Sequence, residues 1–227
     1  MHWISFWDQQ ARSEHPAEQV GRILRGKPAE PQLNQQIAEH IIHLLNLESH
    51  HSLLDLCCGN GVLSQLLARH SQRVLGIDFS SEQIARAQKQ KSHQPNLEFA
   101  VGDAKSLHIQ QNFDRINLYF SFQYFTDTKA ARQVLRGIYQ HLKPGGCALL
   151  GDIPHAEKEL LYYGSLYGLM KARLQTLTGY NTMGRFWHPK TLCTIARQTG
   201  FTAQVRSEPD HLPYAHYRFD LLLSRPK

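Results

Sequence analysis

The stretch Ser52-Leu-Leu-Asp-Leu-Cys-Cys-Gly-Asn-Gly-Val-Leu-Ser64 constrains this chain more than any other. Leu53, Leu54 and Leu56 form an apolar run broken only by Asp55, the length of a buried strand. Cys57 to Gly61 reads as a turn, after which Val62, Leu63, Leu66 and Leu67 recur at helical spacing. Strand, glycine turn and helix in that order open an α/β sheet. Gly59 and Gly61 carry no Cβ where the chain must turn tightly, so a ligand can approach the main chain there. The helix behind presents unpaired N–H groups and the positive end of its dipole.

Two further strand ends fix what that ligand is. Arg73-Val-Leu-Gly-Ile-Asp78 is a second apolar strand, and Asp78 stands 19 residues after Gly59. At that spacing a nucleoside-binding α/β fold places a carboxylate to accept hydrogen bonds from ribose hydroxyls. Phe79, the next residue, is positioned to lie against an adenine plane. A third strand, Leu97 to Ala104, also ends on an acid, Asp103.

Leu-Asp-Leu-Cys-Cys-Gly-Asn-Gly, Gly-Ile-Asp-Phe-Ser, Val-Gly-Asp-Ala and Leu-Lys-Pro-Gly-Gly together resemble a class I S-adenosylmethionine-dependent methyltransferase, from about Leu53 to Pro154. The resemblance implies one Rossmann-like domain over residues 1–227. Its sheet would have seven mostly parallel strands, helices on both faces and an antiparallel last strand. It implies S-adenosylmethionine as cofactor, leaving as S-adenosylhomocysteine. Asp55, Cys57, Gly59, Gly61, Asp78, Phe79, Asp103, Ala104 and Tyr119 are then the cofactor-binding positions, with Asp103 and the Ala104 backbone reading the adenine edge. Cys57 replaces the family's first loop glycine, a small-for-small exchange the loop is expected to survive.

Segments ahead of the first strand often close over the cofactor in such enzymes. Here residues 1–47 read as a helical cover in which Trp3, Phe6 and Trp7 share one face of a turn. Arg22 is placed to pair with the cofactor's carboxylate and Trp7 to help cover it. His40 and His43 lack a third metal ligand at matching spacing and read as a solvated face, so no metal site is expected.

Residues 155–187 interrupt the alternation of strands and helices. Leu160, Tyr163, Tyr167, Met170, Leu174 and Leu177 follow at intervals of three and four, the stripe of one long helix. We expect a lid over the carboxyl edge of the sheet, with Tyr162, Tyr163 and Tyr167 as substrate-lining candidates beside Gln123 and Tyr124. A contact to a second copy is the alternative, which makes a homodimer possible. His155, just after the fifth strand, is the candidate general base, since imidazole titrates near neutral pH.

The acceptor is narrowed mostly by exclusion. The exit of the fourth strand, Tyr119 to Tyr124, contains no proline, unlike the motif of enzymes that methylate nucleobase amines. The net charge of +6 comes from 25 scattered Lys and Arg, with no dense basic block to mark a nucleic-acid surface. No apolar run is long enough to span a bilayer, the first residues do not read as a signal peptide, and four cysteines show neither a disulfide framework nor metal-ligand spacing, so a reduced, cytoplasmic protein is expected. These readings favour methyl transfer to an O or N atom of a small molecule such as a sugar or another metabolite. RNA or protein methylation and a catalytically silent binding subunit are the alternatives. An NAD-dependent oxidoreductase fits less well, because Ser64 stands where its fingerprint wants the third glycine.

Overall fold

The computed structural model describes residues 3–91, 93–177 and 182–227. The chain enters through α1 (Trp3–Gln10), α2 (Pro16–Gln19) and a small hairpin of β1 (Ile23–Leu24) and β2 (Lys27–Pro28). The helix α3 (Pro31–Leu45) leads into the alternating core of β3 (Ser52–Leu56), α4 (Val62–Ala68), β4 (Arg73–Asp78), α5 (Ser81–Gln90) and β5 (Leu97–Val101). It continues through β6 (Phe113–Tyr119), α6 (Thr128–His141) and β7 (Leu142–Pro154). Two helices, α7 (Glu159–Tyr163) and α8 (Leu166–Leu177), interrupt it before α9 (Pro189–Thr199), β8 (Thr202–Ser207) and β9 (Arg218–Ser224) complete the sheet.

The main sheet runs β5-β4-β3-β6-β7-β9-β8. From β5 to β7 all pairs are parallel, and β9 lies antiparallel to both its neighbours. Leu53 packs with α3 and α4 on one face, whereas Leu54 and Leu56 pack with α6 and α9 on the other. A strand covered on both faces needs apolar side chains at successive positions, which is why β3 reads as a run rather than an alternation. The chain order reverses between β3 and β6, and the carboxyl ends of those strands open a crevice where ligands of such sheets bind.

Local chemistry sets the element ends. Ser80 caps α5 by accepting from the Gln83 N–H at 3.1 Å, and Asp127 caps α6 through the Ala130 N–H at 2.7 Å. Pro189 occupies the first turn of α9, and Gly200 ends that helix at φ 111°.

Three expectations change in the folded chain. The long helix after β7 is two helices, because Gly164 adopts φ 70° and ends α7. Residues 178–181 of that insertion lie outside the described residues. His40 is not solvated: it is buried, with Nε2 2.7 Å from Asp220 Oδ2. Lys143-Pro-Gly-Gly146, whose composition reads as a turn, is instead drawn into β7, which begins at Leu142 and absorbs the irregularity as a register shift against β6.

Candidate active site

The turn after β3 is held in a conformation that most side chains resist. Cys57, Gly59 and Gly61 have φ of 56°, 55° and 74°. Two are glycines, for which this region is free; Cys57 bears a strain of roughly 1–2 kcal/mol for adopting it. The loop nonetheless keeps its course. A Cβ on Gly59 would lie 2.7 Å from Val20, and one on Gly61 would lie 2.5 Å from Phe99 and 2.9 Å from Ala87. Gly59 faces the N-terminal cover and Gly61 the packing between loop and sheet.

At the neighbouring strand end Asp78 is buried and accepts from the Gly59 N–H through Oδ2 and the Ser80 N–H through Oδ1, both at 2.9 Å. Burial pushes its carboxyl up to about 6, against the pull of those two N–H groups. Asp55 is also pushed up by burial; it accepts from Ser64 Oγ at 2.5 Å and from Asn117 Nδ2 at 2.7 Å. Asn117 Oδ1 is buried without a partner. An orphaned acceptor in a cavity wall is a place for a donor from a bound molecule. Cys57 and Cys58 are held well above the usual thiol range by burial, so neither is a thiolate nucleophile at neutral pH.

These groups share one cavity of about 390 Å³. Asp55, Cys57, Gly59, Asp78, Phe79 and Asp103 line its strand-end side. Trp7, Arg22, Tyr119 and Tyr124 line it too. Gly61 stands behind the loop as the N-cap of α4, and Ala104 is buried in the core beside the wall. The cover is tethered rather than loosely laid: Gln83 Nε2 donates to Gln19 O at 2.5 Å, Asn60 Nδ2 to Pro16 O at 2.9 Å, and Arg86 Nε to Ala11 O at 2.9 Å. Arg22 is buried and donates to Asn34 Oδ1 at 2.7 Å, and burial lowers its pKa from the ordinary value.

Five candidates fall elsewhere. His155 is outside the cavity, where its Nδ1 accepts from the Glu157 N–H at 3.2 Å and caps a short turn. Gln123 is buried, its Nε2 spent on Phe120 O at 2.9 Å, and it does not line the cavity. Tyr162 packs edge-on to Tyr163 and against Tyr217, and neither Tyr162, Tyr163 nor the exposed Tyr167 lines the cavity. Conversely Trp3, Lys105, Asn117, Phe120 and Ser121 do line it. Trp3 left a sequence trace on the aromatic face of the cover, and Asn117 left one as a polar residue inside an apolar strand.

A second polar group lies behind β7. Asp152, at φ 58°, donates its N–H to Asp220 Oδ1 at 2.9 Å, and Arg218 Nη1 reaches Asp152 O at 2.5 Å. Asp152 and Glu208 both shift upward through burial, and the neighbouring Asp152 carboxylate adds to the rise of Glu208. Arg218 is enclosed by the rings of Phe120, Tyr214 and Tyr217 at 4.7–5.4 Å. This cluster locks β9 to β7 at the edge of the site.

Fold and site together define a nucleoside-binding α/β enzyme. Residues 53–146 match a family described as a methyltransferase domain. Over 196 residues the chain is 30% identical to the 2-phytyl-1,4-naphtoquinone methyltransferase of Thermosynechococcus vestitus, covering 77% of this chain and 86% of that one. Over 169 residues it is 30% identical to the demethylmenaquinone methyltransferase of Lactococcus lactis, 67% of this chain and 66% of that one. The N-methyltransferase NodS from Bradyrhizobium japonicum, solved with S-adenosylhomocysteine, has the same fold, with TM-score 0.68 at 16% identity over 99% of this chain and 98% of that one. The chain belongs to the class I S-adenosylmethionine-dependent methyltransferases. It is an enzyme whose cofactor is S-adenosylmethionine.

Proposed function

We propose that the acceptor is a planar hydroxyaromatic molecule of the quinol class. The aromatic wall of the cavity carries this reading. Trp3, Trp7 and Tyr124 stand together, with Tyr124 4.5 Å from Trp3 and 5.4 Å from Trp7 between ring centroids. Phe120 and Phe125 add to the lining. Such rings suit a flat apolar acceptor better than a sugar, because each stacked ring contributes roughly 0.5–1.5 kcal/mol beyond burial. The two curated relatives are named for quinones, one bearing a phytyl chain.

Cofactor roles follow from the lining. Asp78 accepts from the ribose hydroxyls and Phe79 lies against the adenine. Asp103 accepts from the adenine amino group, with the Ala104 backbone beside it. Arg22 faces the methionine carboxylate, and Asn117 Oδ1 takes a donor from the methionine end. Bound S-adenosylmethionine supplies a methyl group on a positively charged sulfur. The chain's own work is then to orient the acceptor in line and exclude water. Burial pushes Tyr124 up to about 12, so it stays protonated and donates a hydrogen bond instead of taking a proton. A phenol ionises near pH 10, far more readily than a sugar hydroxyl, and so asks less of a general base. Tyr119 shares that wall and, likewise raised by burial, is a donor.

The test is a methyl-transfer assay with labelled cofactor, a reduced phytyl-naphthoquinone and a panel of sugars. Labelled quinone product is expected. Transfer to a sugar with none to the quinol would overturn the reading.

A further inference from the structure

The helix α8 is mounted with its apolar face outward. Taking roughly 100° per residue, Leu166, Leu177, Met170, Leu174 and Tyr167 fall in that order along an arc about 100° wide. Ala172, the buried residue of this helix, lies on the opposite side and faces the protein. Leu166, Tyr167, Met170 and Leu177 are 69%, 79%, 71% and 86% exposed, and in α7 Leu161 adds 60%. An ordinary surface helix turns that stripe to the core. Arg173 borders one side of the arc and Lys171 the other, both exposed. From Leu160 to Trp187 the sequence holds Lys171, Arg173 and Arg185 and no Asp or Glu. The nearest acid is Glu159, with Oε2 3.9 Å from Arg173 Nη2.

Aliphatic side chains in the middle, a tyrosine among them and cations along both borders are the features of a helix lying in a membrane interface. We propose that α8, with Leu161 of α7, docks this enzyme on an anionic lipid surface. The apolar arc enters the boundary between headgroups and acyl chains while Lys171 and Arg173 meet lipid phosphates. Charge favours lipid over a second copy of the chain on this face. A two-fold contact centred on α8 would bring Lys171 of one copy close to Lys171 of the other, and no acid on either arc would pair with it. The inference does not depend on the quinol reading, because lipid binding needs neither acceptor nor cofactor.

The decisive measurement is flotation of the purified chain with vesicles of phosphatidylcholine alone and of phosphatidylcholine with phosphatidylglycerol. Binding is expected only to the anionic vesicles and should weaken as salt rises. The double substitution Met170→Glu with Leu177→Glu should reduce partitioning at least about tenfold. Lys171→Glu with Arg173→Glu should do the same while leaving the apolar arc intact. Thermal unfolding of both variants, followed by circular dichroism, should match the parent because the changed residues are exposed. No flotation with anionic vesicles would overturn the proposal, as would flotation that neither pair of substitutions reduces. A concentration-dependent dimer abolished by the same substitutions would overturn it in favour of a second copy. Loss of flotation with quinol methylation intact, or the reverse, separates this inference from the acceptor assignment.

Discussion

The turn after β3 and the insertion after β7 are both connections at the carboxyl edge of the same sheet, and they are built in opposite ways. The first is short and half-buried, and its course is set by main-chain atoms: left-handed φ at Cys57, Gly59 and Gly61, and N–H groups of Gly59 and Ser80 on Asp78. The second is long and exposes Leu161, Leu166, Met170 and Leu177. Where backbone conformation makes the site, almost every position is constrained by an atom a few ångströms away. Where a helix only presents a surface, the spacing of its residues matters and the identity of each matters less. The cofactor end should therefore fail on single substitutions, and the insertion only on several together.

The largest effect tests the constrained end. Asp78→Ala removes a carboxylate proposed to hold two ribose hydroxyls, at roughly 1.5–3 kcal/mol for each charge-assisted bond. Calorimetry with S-adenosylhomocysteine should show at least about a hundredfold weaker binding; an unchanged dissociation constant would sink the assignment.

Gly61→Ala comes next and is read as stability. The new Cβ meets Phe99 at 2.5 Å and Ala87 at 2.9 Å on a backbone already at φ 74°. The expected loss is about 2–4 kcal/mol, checked by denaturant unfolding. A comparable substitution at Gly164, where φ is also left-handed at 70° but a Cβ would meet nothing within 4 Å, should cost less and so sharpen the contrast.

Acid titration separates binding from folding at Asp78. Its folded-state carboxyl titrates at about 6, above the roughly 3.9 of an unfolded chain. Between those values the folded state binds more protons than the unfolded state, so Asp78's contribution to unfolding free energy rises as pH falls from 6 toward 4. Cofactor affinity should move the other way, full above pH 6 and declining below it, because the ionised carboxylate is the form proposed to accept the ribose bonds. Measured as the thermal shift produced by S-adenosylhomocysteine, the decline should vanish in Asp78→Asn; a persistent decline would place the titrating group elsewhere.

Smaller effects remain for the rim. Asp103 is partly exposed, so Asp103→Ala should weaken cofactor binding several-fold, and Asp103→Asn, which keeps an acceptor oxygen, less. Equal and negligible losses would reduce Asp103 to a turn residue. His155→Ala should leave kcat and KM within about twofold, since the ring caps its own turn outside the cavity. A large fall in kcat alone would restore it as a base.

Much of the cofactor end was legible before any coordinates. The apolar run of β3, the glycines behind it and acids at two further strand ends obey local rules, and local rules are written in adjacent residues. Asp55, Gly59, Asp78, Phe79 and Asp103 accordingly meet in one cavity. The acceptor side was not legible. Trp3 and Tyr124 touch across more than a hundred residues of sequence, and Asn117 reaches the cavity wall only in the folded sheet. Spacing predicted one continuous stripe along a single helix; Gly164 breaks it between two helices, and spacing did not contain which way each piece faces.

That division has a physical cause. By itself the sequence determined the strand-turn-helix units, the acids at the strand ends and the family, since each follows from backbone geometry and periodicity over a few residues. Only the tertiary structure decided that His40 is buried against Asp220, that His155 turns away from the cavity, and that α8 shows its leucines to the outside. Those outcomes depend on which distant surfaces pack against the sheet. Packing is settled by volume and burial summed over the whole chain, a quantity no local pattern contains.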